Sequence, residues 1–548
     1  MTKNVKKIGV IKNKIERECF FCIYCKRIFK GKNMYLCYDI RGIQSFIFRI
    51  PKLKYIVGGS ALIDQFDRVT VPSLKCAGCE LLYAGGGKGT FTCADDAASD
   101  SLKKMIMEEA HNIGLDIRFG IDEDYLEASR NATEVYPFIP ESLEGLPCPT
   151  SGLYPVTNGD THWVVKKRLY KRGEKTFRWY ENDLLKNMQW PKNLERYKDG
   201  QFFHNVSALA EGADEEDGRK GARALGNRNR WAVICMDGND MGSQLRKKSE
   251  SLKGEAPEKM TAWLQTMSRA IDFCSREATK AGILAVIDAW SGTKDDDKSL
   301  MGEDVVLPIR PIIVGGDDIS VICHVSYAML FVKTVIAKFN ELSKKTPDAW
   351  PATGGEITIS AGVLFCPVSL PLHTAIDFGE SLLASAKSRG RETAVEGKPA
   401  EPCLDWEFVT DSVIDSPAAR RQRELMFFDK DLNKTIKLTQ RPYTLKDYEG
   451  VVEPLVGRYA VKSEDDAAGI ARSQLHKVLP AMRKGFYDRL TFVASIAKRH
   501  NLSQDLAEPG YELGKQSCWK DEGDTRSTPV IDAIQLCEED VRMKKETV

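Results

Sequence analysis

The sequence predicts an α+β protein: two ferredoxin-like units, a small inserted module and a helical C-terminal domain. Three observations carry this prediction. Strand and helix signals follow the order β-α-β-β-α in the first half and β-α-β-β-α-β in the second. Each copy has a tight glycine turn at its central hairpin, Gly85-Gly86-Gly87 in the first and Gly315-Gly316-Asp317-Asp318 in the second. From about residue 411 onward, apolar residues recur at helical spacing.

Residues 1–33 are Lys-rich and carry Cys19-Phe-Phe-Cys22-Ile-Tyr-Cys25. They read as a disordered or mis-started leader. The cysteine triplet could also be half of a zinc site, but no clean second pair with ligand spacing follows nearby, and Cys76-Ala-Gly-Cys79 is the one candidate partner. The first domain, 34–135, runs from a strand at Tyr35 through Asp39-Ile-Arg-Gly-Ile-Gln-Ser-Phe-Ile-Phe48 to Gly58-Gly-Ser60. A second strand ends in the glycine turn, and a helix over 95–112 places Leu102, Met105, Ile106 and Ala110 on one face. Residues 136–227 are irregular, rich in Pro, Gly and aromatics, and form an inserted module and linker.

The second domain, 228–410, opens on the strand Trp231-Ala-Val-Ile-Cys-Met236, followed at once by Asp237-Gly-Asn-Asp240. A helix over 257–282, an acidic loop over 293–304, a hairpin over 309–323 and a helix over 326–344 follow. A strand over 356–365 and a helix from about 373, with Lys387 near its end, complete the unit. In the C-terminal domain, 411–548, a helix over 463–482 is capped by Ser463 and Asp466 and buries Ile470, Ala471, Leu475, Val478 and Leu479. Gly485 breaks it before a second helix over 487–497.

Composition narrows the function classes. The chain has 548 residues, 42% hydrophobic and 29% charged, with a net charge of +1. That length calls for several domains, and near-neutral charge argues against a freestanding nucleic-acid binder driven by a strong positive field. No apolar run approaches 18 residues, so no membrane helix is expected. Fifteen cysteines, several inside apolar strands, fit a reducing cytoplasm rather than a disulfide scaffold.

The chemistry concentrates at the second hairpin. Apolar strands on both sides of Gly315-Gly316-Asp317-Asp318 present adjacent carboxylates at a tip, and glycines let a phosphate approach the backbone. In this fold the first strand lies beside the central hairpin, so Asp237 is expected next to Asp317 and Asp318 although 80 residues separate it from Asp317. Such a trio suits two Mg²⁺ or Mn²⁺ ions of a nucleotidyl transfer. Gly238, Asn239, Asp240, Gly315 and Gly316 offer backbone groups to triphosphate oxygens, and Lys387 a positive charge. Taken singly, each is ordinary: Gly-Gly-Asp-Asp is a common turn, Asp-Gly ends many strands, and most helix lysines are solvated. Their joint occurrence in one fold makes the site. The first hairpin has no carboxylate at its tip, so the first domain is expected to be non-catalytic and to offer backbone or Ser60 contacts to a second nucleotide. His204 and His476 read as surface or packing residues.

Asp39–Phe48, Gly58-Gly-Ser60, Tyr83–Gly87, Arg310-Pro-Ile-Ile-Val-Gly-Gly-Asp-Asp318, Ile359-Ser-Ala-Gly362 and Arg441-Pro-Tyr-Thr444 resemble the two palm domains and tail of the CRISPR polymerase family. This is the large subunit of type III CRISPR effector complexes, related to the GGDEF cyclases. The resemblance covers residues 35–100 and 228–548. It implies synthesis of cyclic oligoadenylate from ATP at the interface of two palms, with Asp237, Asp317 and Asp318 as the acidic residues. The implied partners are ATP, a guide-RNA/target-RNA complex and other effector subunits; self-association is compatible with it. Many members begin with an HD nuclease domain, but no adjacent His-Asp pair occurs here. The cysteines that often bind zinc between the palms are reduced to Cys148. Two other readings compete. One is a diguanylate-cyclase-like enzyme using GTP, whose symmetric dimer of one palm differs from a chain with two. The other is a catalytically silent scaffold, which has no evident need of three clustered acids.

Overall fold

The computed structural model describes residues 34–48, 53–133, 184–185, 188–203, 213–214, 219–220, 230–252, 257–292, 305–410, 415–459, 472–496, 505–506 and 518–540. The leader cysteines, the loop over 293–304 and the expected cap at Ser463 and Asp466 lie outside them. The chain forms two compact units, Met1–Gly42 with Phe66–Ile139, and Ile43–Gln65 with Pro140–Val548.

In the first unit, β1 (Met34–Arg41) is an inner strand of a four-stranded sheet. Helices α1 (Ile43–Ile47) and α2 (Leu53–Gln65) follow in the chain, but they pack within the second unit. The sheet continues with β2 (Cys79–Gly85) and β3 (Lys88–Cys93), then α3 (Asp96–Ile113), β4 (Asp116–Asp122) and α4 (Tyr125–Thr133). Strand order is β2-β3-β1-β4. Helix α3 begins where the Asp95 side chain accepts from Ala98 N–H, and it stops at Gly114, whose φ of 79° is left-handed. At the hairpin, Gly86 and Gly87 have φ of 63° and 79°. Buried Asp67 fixes this turn, accepting from Gly87 N at 2.7 Å and from the Tyr38 hydroxyl at 2.8 Å. Cys79 lies opposite Cys93 with the sulfurs 3.2 Å apart, and the Cys76 thiol shares the Ala98 carbonyl with Cys79.

The second unit repeats this order on a larger sheet. β5 (Arg230–Gly238) leads into α5 (Met241–Ser251) and α6 (Pro257–Trp290); the hairpin β6 (Ile309–Gly315) and β7 (Asp318–Cys323) follows. Then come α7 (Ala328–Ser343), β8 (Ile359–Pro367), α8 (Leu372–Glu392) and β9 (Cys403–Phe408). β5 is an inner strand, Trp231 to Met236 being no more than 1% exposed, so both its faces are covered. A continuous apolar run of this kind stabilises a strand by about 1.5–3 kcal/mol per large side chain. Helix α6 runs eight residues beyond the sequence expectation: Gly282 marks close packing, not an end, because a Cβ there would lie 2.7 Å from Phe331 and Val335. α8 lies over the sheet face of Cys235 and Gly362.

The C-terminal region contains α9 (Pro417–Leu425), β10 (Met426–Asp429), β11 (Lys434–Lys437), β12 (Tyr443–Thr444) and α10 (Glu453–Tyr459). Beyond them are α11 (Arg472–Met482), α12 (Phe486–Ile496), β13 (Lys520–Glu522), β14 (Thr525–Ser527) and α13 (Val530–Asp540). Helices predominate, and a four-stranded sheet β10-β11-β14-β13 accompanies them. β12 closes the edge of the six-stranded sheet β6-β7-β5-β8-β9-β12. The Arg441-Pro-Tyr-Thr444 motif has a structural use here. Arg441 Nε pairs with buried Asp532 at 3.0 Å, and the Tyr443 hydroxyl donates to the same carboxylate at 2.6 Å. Arg421 bridges Asp405 and Glu407 beside them.

The fit of α8 on the sheet is checked by Gly362→Ala. The new Cβ would lie 2.4 Å from Gly379 O and Leu383 N, both backbone atoms that cannot swing away. Overpacking of this kind costs about 1–3 kcal/mol; a clear fall in the thermal unfolding midpoint is expected.

Candidate active site

The site grows from the end of β5. Asp237 is the first ionisable residue after the buried run, and its backbone pairs with Ser360 of β8 on one side. On the other side Met236 lies opposite Ile319, so one step further along the antiparallel register brings Asp237 level with Asp318. Side chains alternate along a strand, which puts Asp237, Cys235, Asp318 and Ser320 on the face covered by α8. Asp317 occupies the turn and reaches the same place: its carboxyl hydrogen-bonds with that of Asp237. Gly238 permits this approach, because a Cβ there would stand 3.0 Å from the Asp317 Cβ.

Electrostatics follow from the crowding. Burial, then repulsion from Asp237 and the hydrogen bond with it, push the Asp317 carboxyl up to about 7, with Lys387 opposing. Asp318 is raised well above the carboxylate range by burial and by Asp317, Asp237 and Glu380. Part of its surface stays exposed to solvent, so the neighbouring acids are the firmer cause. Glu380, on α8, is raised by burial and by Asp237, and it hydrogen-bonds with the Cys235 thiol. Lys387 lies two helical turns further along, on the same face as Glu380. Its ammonium contacts Asp237 Oδ2 and donates to Gly238 O at 3.0 Å.

Several expected ligand contacts are committed elsewhere. Asn239 N donates to Thr358 O, and its amide to Thr358 Oγ1, both at 2.8 Å. Asp240, left-handed at φ 63°, accepts from Ala400 N at 2.9 Å and starts α5. Both residues hold the loop; at Gly315 an added Cβ would meet nothing within 4 Å, so the acidic turn keeps open space beside its backbone. Ser60 is buried on α2 and donates to Ile312 O at 2.5 Å, where the register of β6 shifts between Pro311 and Ile313. In this structure the hydroxyl braces the acidic hairpin; it is not free for a second nucleotide.

Two contributors escaped the sequence reading. Ser275 of α6 donates to Gly316 O at 2.6 Å, holding the turn from the helix side. Its neighbour Arg276 ties α6 to α2 through Asp64 at 3.2 Å and also pairs with Asp272. Glu380 is the other, and its i, i+7 relation to Lys387 is the signal that could have found it.

Among the described residues, no group of three or more His, Cys, Asp or Glu is placed to hold a metal ion by itself, and no helix is long and apolar enough to cross a membrane. The donors present nevertheless suit a hard cation. Two carboxylates touch, a third adjoins them, and a carbonyl oxygen faces the same point. Mg²⁺ ordinarily uses one or two carboxylates and completes its shell from water and substrate phosphates.

A palm-type unit with an acidic hairpin is what this fold and site define. Residues 230–395 match the family model for the second palm domain of Cas10/Cmr2, so this part of the chain is a Cas10-like palm. No curated protein matches the chain. Among solved structures, a chain of the Csm1–Csm4 cassette in complex with cA4 is 15% identical at a TM-score of 0.49; the alignment covers 94% of this chain and 70% of that one. The cassette in complex with AMPPNP gives 13%, 0.47 and the same coverage. The apo cassette gives 14% and 0.48, covering 94% and 71%.

The raised Asp317 carboxyl makes a pH prediction. A carboxyl whose folded value exceeds its ordinary 3.8 keeps its proton in the folded state after the unfolded chain has lost it. Stability contributed this way is full below about pH 4 and is lost as pH rises to about 7. Asp317→Asn should flatten that loss and be more stable than wild type at pH 8, by on the order of 1–3 kcal/mol. Urea unfolding at pH 5 and pH 8 checks it.

Proposed function

We propose that this chain is a nucleotidyltransferase that makes cyclic oligoadenylate from ATP, as the large subunit of a type III CRISPR effector. The carrying observation is the contact of Asp237 with Asp317, flanked by Asp318 and Lys387, on a Cas10/Cmr2-type palm. In this reading each step joins a 3′-hydroxyl to an α-phosphate and releases pyrophosphate. Asp237 and Asp317 would hold two Mg²⁺ or Mn²⁺ ions, with Asp318 beside them. Such ions, when bound, lower the pKa of the attacking hydroxyl and neutralise charge on the phosphates.

The chain's own residues do the rest. Gly238, Gly315 and Gly316 let phosphate oxygens approach the backbone, and Ser275 keeps the turn from relaxing as the acids repel. Lys387 supplies a point charge to the β- and γ-phosphates. The first unit, with Lys88 and no acid at its hairpin tip, holds no metal there and has a non-catalytic part. The domain division that goes with this reading is 34–135 and 228–410 for the two palms, 136–227 for the insert and 411–548 for the C-terminal domain. Guide RNA, target RNA and other effector subunits in the cytoplasm are the partners it brings.

Purified chain incubated with labelled ATP or GTP and Mn²⁺, with and without a guide-RNA/target-RNA complex, tests the proposal. Cyclic adenylates are expected; cyclic di-GMP would point to a GTP cyclase, and no product under any condition to a scaffold. The double variant Asp317→Ala, Asp318→Ala should lose product on the order of a thousandfold or more while unfolding at an unchanged or higher temperature. Retained synthesis in that variant would overturn the assignment of the acids.

A further inference from the structure

We propose that Lys387 is a built-in stand-in for the cation: without ligand its ammonium fills the position that a divalent ion takes, and entry of the ion releases it toward the triphosphate. The inference rests on the reading of Asp237 and Asp317 as metal-holding residues. Its ground is geometric. The Lys387 ammonium contacts one carboxylate oxygen, Asp237 Oδ2, and one carbonyl oxygen, Gly238 O at 3.0 Å. A carboxylate and a carbonyl are the hard oxygen donors that Mg²⁺ and Mn²⁺ select. The lysine therefore satisfies the atoms a metal would use.

Charge balance explains why something must sit there. Asp237, Asp317, Asp318 and Glu380 crowd one end of the sheet, and the positive charge of Lys387 offsets the negative charge of Asp317, Asp318 and Glu380. The first unit places a lysine at the corresponding position of its own hairpin. Gly85 pairs with Lys88 there as Gly315 pairs with Asp318 here, and the Lys88 ammonium lies 3.9 Å from Asp39 at the end of β1. In the first hairpin the cation is part of the turn. In the second it arrives from α8 on a four-carbon stem that can swing away.

Exchange leaves no charge stranded. A structural ion pair broken by metal would leave one partner buried and unpaired, at considerable cost. Here the ion takes over Asp237, and Lys387 passes to phosphate oxygens that come with the nucleotide. Two ligands should then respond oppositely to loss of the ammonium. Metal alone should bind more tightly, having no competitor, while metal with triphosphate should lose a favourable contact.

Mn²⁺ binding to the full chain at pH 8, followed by the paramagnetic resonance of free Mn²⁺, separates the cases. Wild type, Lys387→Met and Asp317→Asn are compared, each with its thermal unfolding midpoint. A partly buried unit-charge contact is worth on the order of a tenfold change in an equilibrium constant, so Lys387→Met should bind about tenfold more tightly. Saturating Mn²⁺ should also speed acylation of the wild-type Lys387 amine several-fold, read by peptide mass spectrometry. If Lys387→Met binds Mn²⁺ equally or more weakly than wild type, or Mn²⁺ leaves the acylation rate unchanged, the stand-in role is wrong and the metal reading survives. If neither wild type nor Lys387→Met binds Mn²⁺ better than Asp317→Asn, the metal reading fails and takes the stand-in with it. The acylation arm needs only wild type, so it decides the question even if Lys387→Met does not fold.

Discussion

Like charge held together governs the second unit. Asp237, Asp317, Asp318 and Glu380 crowd one another, and after burial it is repulsion from a neighbouring acid that raises Asp317, Asp318 and Glu380. Two unit charges at 4 Å repel by about 1 kcal/mol in water and about 4 kcal/mol in a medium of intermediate dielectric. Nothing in the chain would gather four acids spontaneously. The surrounding architecture is intelligible as what keeps them there.

That architecture acts through rigid parts. β5 is apolar from Trp231 to Met236 and buried on both faces, so its end cannot drift when the acids push apart. The hairpin is gripped by two helix hydroxyls, Ser60 on Ile312 O and Ser275 on Gly316 O, and Arg276 with Asp64 links the two helices that carry them. On the opposite flank α8 sits so close to Gly362 that no side chain fits between them. A site held by strands and helices keeps its geometry better than one held by loops.

The acids were legible because their signal is an order of elements. Once the strands around Trp231–Met236 and the 309–323 hairpin are recognised, ferredoxin-like topology places Asp237 beside Asp317. The braces were not legible, for a physical reason: Ser60 and Ser275 donate to backbone carbonyls, and a carbonyl has no residue identity for a pattern to match. Asn239 and Asp240 looked like phosphate contacts because turn residues with open N–H groups often are. Thr358 O takes the Asn239 N–H, and the Asp240 carboxylate accepts from Ala400 N, both partners more than a hundred residues away. The expected end of the long helix near Gly282 failed similarly, since a glycine that ends a helix and one that admits Phe331 look identical in one dimension.

Comparison of the two hairpins shows what the acidic turn adds to a common fold. Both units share the inner-strand order, and both have an aspartate near the end of the first strand, Asp39 or Asp237. In the first unit Lys88 of the hairpin lies 3.9 Å from that aspartate, and Asp67 locks the turn through Gly87 N. In the second, Asp317 and Asp318 replace Gly87 and Lys88, which removes one positive charge and adds two negative ones at the same place. The backbone tolerates both versions because the left-handed glycine at 86 or 316 makes the bend in each. Balance then has to come from outside the hairpin. A single lysine from α8 supplies only part of it, and the remaining deficit is what a divalent ion would offset in the proposed reading.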